Sequence, residues 1–325
     1  MGDRVFEKLS NPQALYNAPI LVFAGDALAA GGLQGLGRVK DGGKWRPRRQ
    51  REFLQLCRDI SSDGFIDGCL MTPADAEKLA VDEKFFDAKP ITPMVRWNAE
   101  TNIWAPRFGT YANSPAQPFQ TVVVDASAPE SAYCSAVDNA LKCRVRLGLY
   151  SITLNNDASN DRQTLLAYLN FAREMGAHPQ YEHFLEVFLP NMNLPGLDNE
   201  KRGQYIADSI VRTMSYLQKH EKPRFIKTEF TTAATWRELC EFDPDLIIGA
   251  LGGPRINTRK TLELAHNVVS NGGRATLFGR TIFGDDNPRA MCRALRAVLD
   301  GKQTPEQAYV DYQKAYKYFC IDHKV

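Results

Sequence analysis

The fold of this chain is decided by residues 224–253, RFIKTEFTTAATWRELCEFDPDLIIGALGG, which run extended, then helix-like, then extended again. A strand, a helix and a second strand in this order predict two parallel neighbours in a helix-covered sheet. The reason is that a parallel pair needs a crossover between its strands. The same alternation continues on both sides of this segment, so the number of strands determines the architecture.

Eight extended stretches alternate with helical segments along the chain. They are APILVFAGD (18–26), DGFIDGCLM (63–71), PITPMVRW (90–97), CRVRLGLY (143–150), HFLEVFLP (183–190), RFIKTEF (224–230), DLIIGALGG (245–253) and RATLFGR (274–280). A further apolar run, QTVVVDAS (120–127), is interpreted as an excursion, because the helix-like SAYCSAVDNALKC follows it. Eight strands covered by helices can close, so the predicted fold class is α/β, a (β/α)8 TIM barrel. An open doubly wound sheet is the alternative, but AGDALAAGGLQGLG (24–37) matches the glycine-rich turn GxGxxG only loosely.

The predicted barrel is one domain over residues 1–325, with a cap segment at 1–17 and a C-terminal helical extension at 303–325. The loops after its first and third strands, 27–62 and 98–142, are long. Helical spacing supports the covering layer, since apolar residues recur on single faces: Ile206, Ile210, Met214 and Leu217 on one helix, and Met291, Leu295 and Val298 on another. We expect the second of these helices to begin at Asn287 and Pro288, and the helix from Arg259 to end at Gly272-Gly273.

Composition favours a cytoplasmic protein that acts on small molecules. The formal net charge is +2, which gives no field for nucleic acid or an acidic membrane. The N-terminus lacks the apolar run of a signal peptide, and no stretch approaches the roughly 20 apolar residues that span a bilayer. The seven cysteines are scattered without a CxxC pair, which predicts free thiols, and the histidine spacing makes a zinc site improbable.

The segment GGKWRPRRQR (42–51) carries four arginines and one lysine. A solvated lead-in to a helix is the simplest interpretation. The alternative is that a residue of this segment covers the active site or contacts a substrate phosphate.

Polar residues interrupt the apolar pattern of three neighbouring strands. Because side chains alternate along a strand, Val145, Leu147 and Leu149 are predicted to pack against the helices, which would direct Arg146, Gly148 and Tyr150 inward. The same reasoning places Glu186 and Lys227 inside the barrel. Asp26 ends the first strand and Arg280 the last, and Arg96 in the third strand is a further candidate ligand of substrate or phosphate.

A lysine inside an apolar barrel is a candidate nucleophile. Burying an ammonium without a partner is costly, and burial together with nearby cations favours the neutral amine, which attacks carbonyls. Glu186 or Tyr150 could then move protons. The alternatives are a structural ion pair between Glu186 and Arg146, and a core position for Tyr150.

The seventh and eighth strands end in the glycine-rich sequences GALGGPR (249–255) and FGRTIFGDDNP (278–288). In TIM barrels the loops after these two strands often bind phosphate through backbone N–H groups. Gly252, Gly253, Gly279 and Arg280 are therefore candidate phosphate-binding residues.

These motifs resemble the class I, Schiff-base aldolases of the DeoC/FbaB/LacD superfamily, nearest to tagatose-1,6-bisphosphate and archaeal-type fructose-bisphosphate aldolases. IKTEF is similar to their Schiff-base strand, GALGGPR and FGRTIF to their phosphate-binding strands, and FLEVFLP to a strand whose glutamate transfers protons. RLGLY and VFAGDAL are similar to the fourth and first strands. The resemblance covers residues 143–300 best, while Asp26 is followed by Ala-Leu rather than the usual His-Gly or Gln-Arg.

The resemblance implies a lyase that cleaves or forms a carbon–carbon bond in a phosphorylated ketose or related sugar derivative. Lys227 would form the imine, Glu186 or Tyr150 would transfer protons, and Asp26 would orient a substrate hydroxyl. Arg146 and Arg96 would contact polar substrate groups. It implies no metal, no other cofactor and a homo-oligomer. The same scaffold hosts a thiolase-like acyl transferase that acts on a phosphorylated dione. An isomerase that uses Glu186 without an imine and a non-catalytic sugar-phosphate-binding barrel are the further alternatives.

Overall fold

A computed structural model describes residues 3–26, 28–98, 105–118 and 144–322. Eight parallel strands close into a barrel in which each strand pairs with the next along the chain, and the last pairs with the first. They are β1 (Ile20–Ala24), β4 (Gly68–Met71), β5 (Thr92–Arg96), β6 (Leu147–Thr153), β7 (Glu182–Phe188), β8 (Ile226–Thr228), β9 (Ile248–Leu251) and β10 (Ala275–Phe278). Between β1 and β4, β2 (Arg38–Asp41) and β3 (Lys44–Pro47) form an antiparallel hairpin.

Helices follow the barrel strands and cover the outside. The α-helices are α1 (Arg4–Leu9), α2 (Pro12–Asn17), α3 (Leu28–Gly31), α4 (Gln50–Ser62), α5 (Pro73–Ala76), α6 (Ala158–Gly176), α7 (Asn199–Met214), α8 (Ala233–Phe242), α9 (Thr258–Ser270), α10 (Arg280–Phe283), α11 (Pro288–Leu299) and α12 (Pro305–Asp322). A π-helical turn (Glu77–Asp82) continues α5, and short 3-10 turns lie at Gly32–Gln34 and Tyr111–Asn113. No helix among the described residues is long and apolar enough to cross a membrane.

Two apolar clusters form the core, one inside the barrel and one between the barrel and its helices. The inner cluster is lined by alternate strand residues, among them Met94, Leu147, Leu149, Phe184 and Phe225. Phe184 and Phe225 stack with ring centroids 4.5 Å apart. The inner cluster also contains Val5, Leu9 and Leu15 of the N-terminal segment. Helices α1 and α2 therefore pack against the end of the barrel where the strands begin, which leaves the opposite end for a site.

The predicted fold class is confirmed, and all eight predicted strands occur in the barrel. The helix start at Asn287 and Pro288 is also confirmed, because the Asn287 side chain accepts a hydrogen bond from the Ala290 N–H. The fourth barrel strand is the least accurate prediction: it was expected at 143–150 and lies at Leu147–Thr153. The runs at 120–127 and 131–143 lie outside the described residues.

The arginine-rich segment 42–51 forms the second half of the hairpin and the start of α4. Arg46 pairs with Glu52 at 2.6 Å and with Asp41 at 2.7 Å. Arg48 donates to the carbonyl oxygens of Leu36 and Phe283 at 2.6 and 3.0 Å. These two side chains hold the hairpin against α4 and against the turn after β10.

Candidate functional site

Three polar residues stand side by side on adjacent strands near the C-terminal end of the barrel. Ser151 on β6 is in register with Glu186 on β7, and Glu186 is in register with Lys227 on β8. Neighbours in register direct their side chains to the same face of a sheet. Their side chains therefore form one layer above the apolar rings of Phe184 and Phe225.

Glu186 contacts both of its neighbours in this layer. The Lys227 Nζ lies 2.5 Å from Glu186 Oε1, and the Ser151 hydroxyl donates to Glu186 Oε2 at 2.7 Å. Lys227 is 5% exposed and Glu186 is 1% exposed. A proton can move between the lysine and the carboxylate over this single short contact, so the pair can interconvert ammonium–carboxylate and amine–carboxylic acid without gaining or losing a proton.

Arg96 connects this layer to Asp26 at the end of the first strand. Its Nη2 lies 2.6 Å from Asp26 Oδ2 and 3.4 Å from Glu186 Oε2, and its Nη1 donates to the Ser151 hydroxyl at 2.9 Å. The guanidinium is buried, so the two carboxylates and the serine share one cation. Arg96 was predicted to bind substrate or phosphate, whereas its guanidinium pairs with Asp26 in the structure.

Two opposing effects act on the pKa of Asp26. Burial alone raises it, but the nearby charges of Arg96 and Lys227 and the hydrogen bond from Arg96 outweigh burial. The pKa is therefore held below its ordinary value of 3.8. Asp26 stays ionised at neutral pH and can accept a hydrogen bond from a substrate hydroxyl.

Replacing Asp26 by asparagine should lower the free energy of unfolding by about 3 kcal/mol near neutral pH, because the buried Arg96 loses its carboxylate. A depressed folded pKa stabilises the fold above the unfolded value, and this stabilisation disappears as the pH falls through the folded pKa. The difference in the free energy of unfolding between wild type and Asp26→Asn should therefore become smaller as the pH falls below about 3.8. Urea unfolding over a range of pH measures this free-energy difference. Asp41→Asn is the control, because it removes the carboxylate of an exposed arginine pair. A difference that does not change with pH would contradict this assignment.

The predicted inward orientation of Tyr150 is wrong. Its ring packs outside the barrel against α6, with centroids 4.5 Å from Phe171 and 5.5 Å from Tyr168. Leu147 and Leu149 occupy the interior instead. The physical reason is that the lower layers of the barrel are filled by apolar side chains, so an apolar strand face does not identify the outside. Burial raises the pKa of Tyr150 to about 12.

Tyr150→Phe should therefore leave turnover within about twofold of wild type, since the hydroxyl lies on the helix side of β6. Loss of a proton-transferring group would instead lower turnover on the order of 100-fold or more. Steady-state kinetics on any accepted substrate separates the two results.

Arg146 also lies away from the layer of polar residues. It precedes β6 at the end where the strands begin, where it pairs with Asp3 at 3.2 Å and covers the Phe6 ring at 4.6 Å. Its side chain is half exposed. The predicted inward position and the alternative pairing with Glu186 are both wrong, because Glu186 is paired with Lys227 and Arg96.

The glycine-rich turns come together as neighbours. Gly252 and Gly253 follow β9, Gly279 and Arg280 follow β10, and these strands pair in the barrel. A Cβ on Gly279 would lie 2.5 Å from the Ala24 carbonyl oxygen, so only glycine fits there. Arg280 is exposed at the start of α10.

Thr281, which sequence analysis did not single out, lies beside the first of these turns. A Cβ on Gly252 would be 2.8 Å from its hydroxyl oxygen. This hydroxyl is buried, and no described residue forms a hydrogen bond with it. A buried donor without a partner is uncommon in proteins. Ser151 and Asn98 were missed as well, because each lies one residue beyond the end of a predicted strand.

Comparison with known proteins gives partial sequence matches. No protein-family model matches this chain. A 3-hydroxy-5-phosphonooxypentane-2,4-dione thiolase of Shigella flexneri is 36% identical over 132 residues, 39% of this chain and 48% of that protein. An uncharacterized aldolase of Pasteurella multocida is 36% identical over 125 residues, 38% of this chain and 41% of that protein. The matches thus span half or less of the length of these relatives.

The solved structures with the same architecture include fructose-bisphosphate aldolases. One from Slackia heliotrinireducens has a TM-score of 0.63 at 14% identity, covering 94% of this chain and 89% of that one. An archaeal fructose 1,6-bisphosphate aldolase has a TM-score of 0.58 at 12% identity, covering 88% and 95%. At these identities the likeness shows the fold alone.

Proposed function

We propose that this protein is a class I aldolase that cleaves or forms a carbon–carbon bond in a phosphorylated ketose or related sugar derivative through an imine on Lys227. The observation that carries the proposal is the 2.5 Å contact between the Lys227 Nζ and Glu186 Oε1, at the end of the barrel where the strands finish. In TIM-barrel enzymes this end holds the active site. A lysine there, with a proton acceptor in contact, meets the requirement for amine catalysis.

The first half-reaction joins substrate and enzyme. Transfer of one proton from Lys227 to Glu186 leaves a neutral amine, which attacks the ketone carbon to give a carbinolamine. Glu186 returns the proton to the departing hydroxyl, and water leaves as the protonated imine forms. The two groups thus supply both the nucleophile and the acid that this sequence of steps needs.

The second half-reaction breaks the carbon–carbon bond. The Glu186 carboxylate accepts the proton of the substrate hydroxyl, the bond cleaves to release an aldehyde, and its electron pair moves into the protonated imine to give an enamine. Protonation of the enamine carbon and hydrolysis of the imine release the second product and restore Lys227. Ionised Asp26, held by Arg96, is suited to orient a substrate hydroxyl by accepting its hydrogen bond.

The phosphate is assigned to the turns after β9 and β10. Gly252, Gly253 and Gly279 are partly exposed there, and Arg280 adds an exposed positive charge. Glycine permits close approach of the backbone to an anion. These features support a phosphorylated substrate rather than a free sugar.

An assay of aldehyde release tests this function. Ketose phosphates of several chain lengths are compared with their unphosphorylated counterparts, using enzyme treated with EDTA. Turnover of a phosphorylated ketose, insensitive to EDTA, is expected because the protonated imine itself takes up the electron pair. Turnover that EDTA abolishes would contradict an imine mechanism.

An acyl transferase is the second candidate, favoured by the name of the Shigella flexneri relative, a thiolase whose substrate is a phosphorylated dione. Here the same imine on Lys227 would accept the electron pair as a 2,4-dione is cleaved, and a thiol would take the acyl group. Product analysis of a phosphorylated dione with and without coenzyme A separates the two. Products that require the thiol would assign the transferase.

A further inference from the structure

Ser151 contacts the oxygen of Glu186 that Lys227 does not contact. Its hydroxyl donates to Glu186 Oε2 at 2.7 Å and accepts from Arg96 Nη1 at 2.9 Å. The side chain is fully buried, and protein groups are the partners of its hydroxyl both as donor and as acceptor. Oε1 faces Lys227, while Oε2 is held by the serine.

Asn98 fixes Ser151 in turn. Strand β5 ends at Arg96, whereas β6 continues to Thr153, so Ser151 has no β5 backbone beside it. The carboxamide of Asn98 takes that place: its Oδ1 accepts from the Ser151 N–H at 2.8 Å, and its Nδ2 donates to the Ser151 carbonyl at 2.8 Å. Asn98 is also buried. This pairing acts as a clamp that extends the ladder and sets the direction of the Ser151 side chain.

We propose that Ser151 is a positioning residue for proton transfer by Glu186, and that the Asn98 clamp holds Ser151 in place for this task. The proposal rests on the proposed function. By binding Oε2, the serine hydroxyl keeps Oε1 directed at the Lys227 nitrogen and at the substrate atoms attached to it. The carboxylate would otherwise rotate, because the terminal torsion of a glutamate has a broad minimum.

The negative charge of Glu186 is balanced without the Ser151 hydroxyl. Glu186 already lies beside two cations, Lys227 at 2.5 Å and Arg96 at 3.4 Å. A neutral hydroxyl adds less electrostatic stabilisation than either cation, but it adds a short and directed contact. Catalytic groups have to be held within about 0.5 Å of the productive geometry, which makes such a contact valuable.

The test separates imine formation from the proton-transfer step. Dihydroxyacetone phosphate is incubated with wild type, Ser151→Ala, Ser151→Thr and Asn98→Ala. One portion is reduced with borohydride to measure the equilibrium amount of adduct on Lys227. Another portion is kept in D2O to measure exchange of the carbon-bound hydrogen, which leaves the imine as a proton to Glu186 and returns from solvent. Thr228→Val is the matched control, since it removes a buried hydroxyl bound to the Val187 carbonyl at 2.8 Å outside the barrel interior.

We expect Ser151→Ala and Asn98→Ala to form the adduct within about threefold of wild type, with hydrogen exchange and kcat lowered about 10- to 100-fold and KM little changed. Ser151→Thr, which keeps the hydroxyl, and Thr228→Val should retain exchange. Exchange in Ser151→Ala equal to that in Thr228→Val, or Ser151→Thr as impaired as Ser151→Ala, would overturn the proposal. Absence of adduct in wild type, both with dihydroxyacetone phosphate and with every ketose phosphate that the enzyme turns over, would instead overturn the imine on which the proposal rests.

Discussion

Lys227→Met is expected to abolish turnover, with a loss on the order of 10⁴-fold or more, because the nucleophile that forms the imine is removed. Methionine fills nearly the same volume without an amine. The variant leaves Glu186 beside Arg96 and Ser151 but without its closest cation, so some loss of stability is expected too. Turnover and thermal unfolding are therefore measured together.

Two further variants separate chemistry from folding. Lys227→Met combined with Glu186→Gln removes both charges of the pair and should recover stability without recovering activity. Lys260→Met breaks an exposed lysine–glutamate contact of 2.7 Å with Glu263 and should leave turnover unchanged. Activity of Lys227→Met within tenfold of wild type would show that the lysine is not the nucleophile.

Glu186→Gln should lower kcat by roughly 10²- to 10⁴-fold, the usual contribution of a general acid–base group. Glutamine keeps the size of the side chain and can still accept the hydrogen bond from Ser151, but it cannot take up the proton from Lys227 or from a substrate hydroxyl. The equilibrium amount of adduct on Lys227 should persist, since the amine remains in place.

The matched control for this variant is Glu182→Gln on the same strand. Glu182 pairs with Arg224 at 3.2 Å near the start of β7, away from the polar layer. Its loss should leave kcat unchanged. Equal kcat values for Glu186→Gln and wild type would remove Glu186 from the mechanism and favour Asp26 as the proton carrier.

The positions of Glu186 and Lys227 could be predicted because their strands offer a clear contrast between two faces. In HFLEVFLP aliphatic residues fill one face, while aromatic and charged residues alternate on the other. In RFIKTEF the two charged residues Lys227 and Glu229 share one face with Phe225. The periodicity alone then shows which face each residue shares. Alternation of strands and helices was likewise enough to predict the barrel.

In CRVRLGLY the same contrast is misleading, because Leu147 and Leu149 of the apolar face lie inside the barrel and not against the helices. Leu147 and Leu149 fit a barrel interior as well as a helix-facing surface, and hydrophobicity cannot choose between them. The strand also extends to Thr153, so the residue that contacts Glu186, Ser151, lay beyond the predicted end. A correct prediction of the strand end, rather than a better propensity scale, would have placed Ser151 beside Glu186.

The Arg96–Asp26 pair illustrates a second limit of sequence reasoning. The two residues are 70 positions apart, and each alone suggests only a polar strand end. Their pairing depends on the curvature of the barrel, in which β1 and β5 lie on either side of β4. Contacts of this kind follow from three-dimensional geometry, and they determine that Arg96 binds a carboxylate of the protein.

The most direct measurement of the central claim is borohydride reduction in the presence of dihydroxyacetone phosphate or candidate ketose phosphates, followed by mass mapping of the peptides. The account predicts a reduced adduct on Lys227 in wild type and in Lys260→Met, and no adduct in Lys227→Met. Folded wild-type protein that gives no adduct on Lys227 with any carbonyl compound it turns over would contradict it.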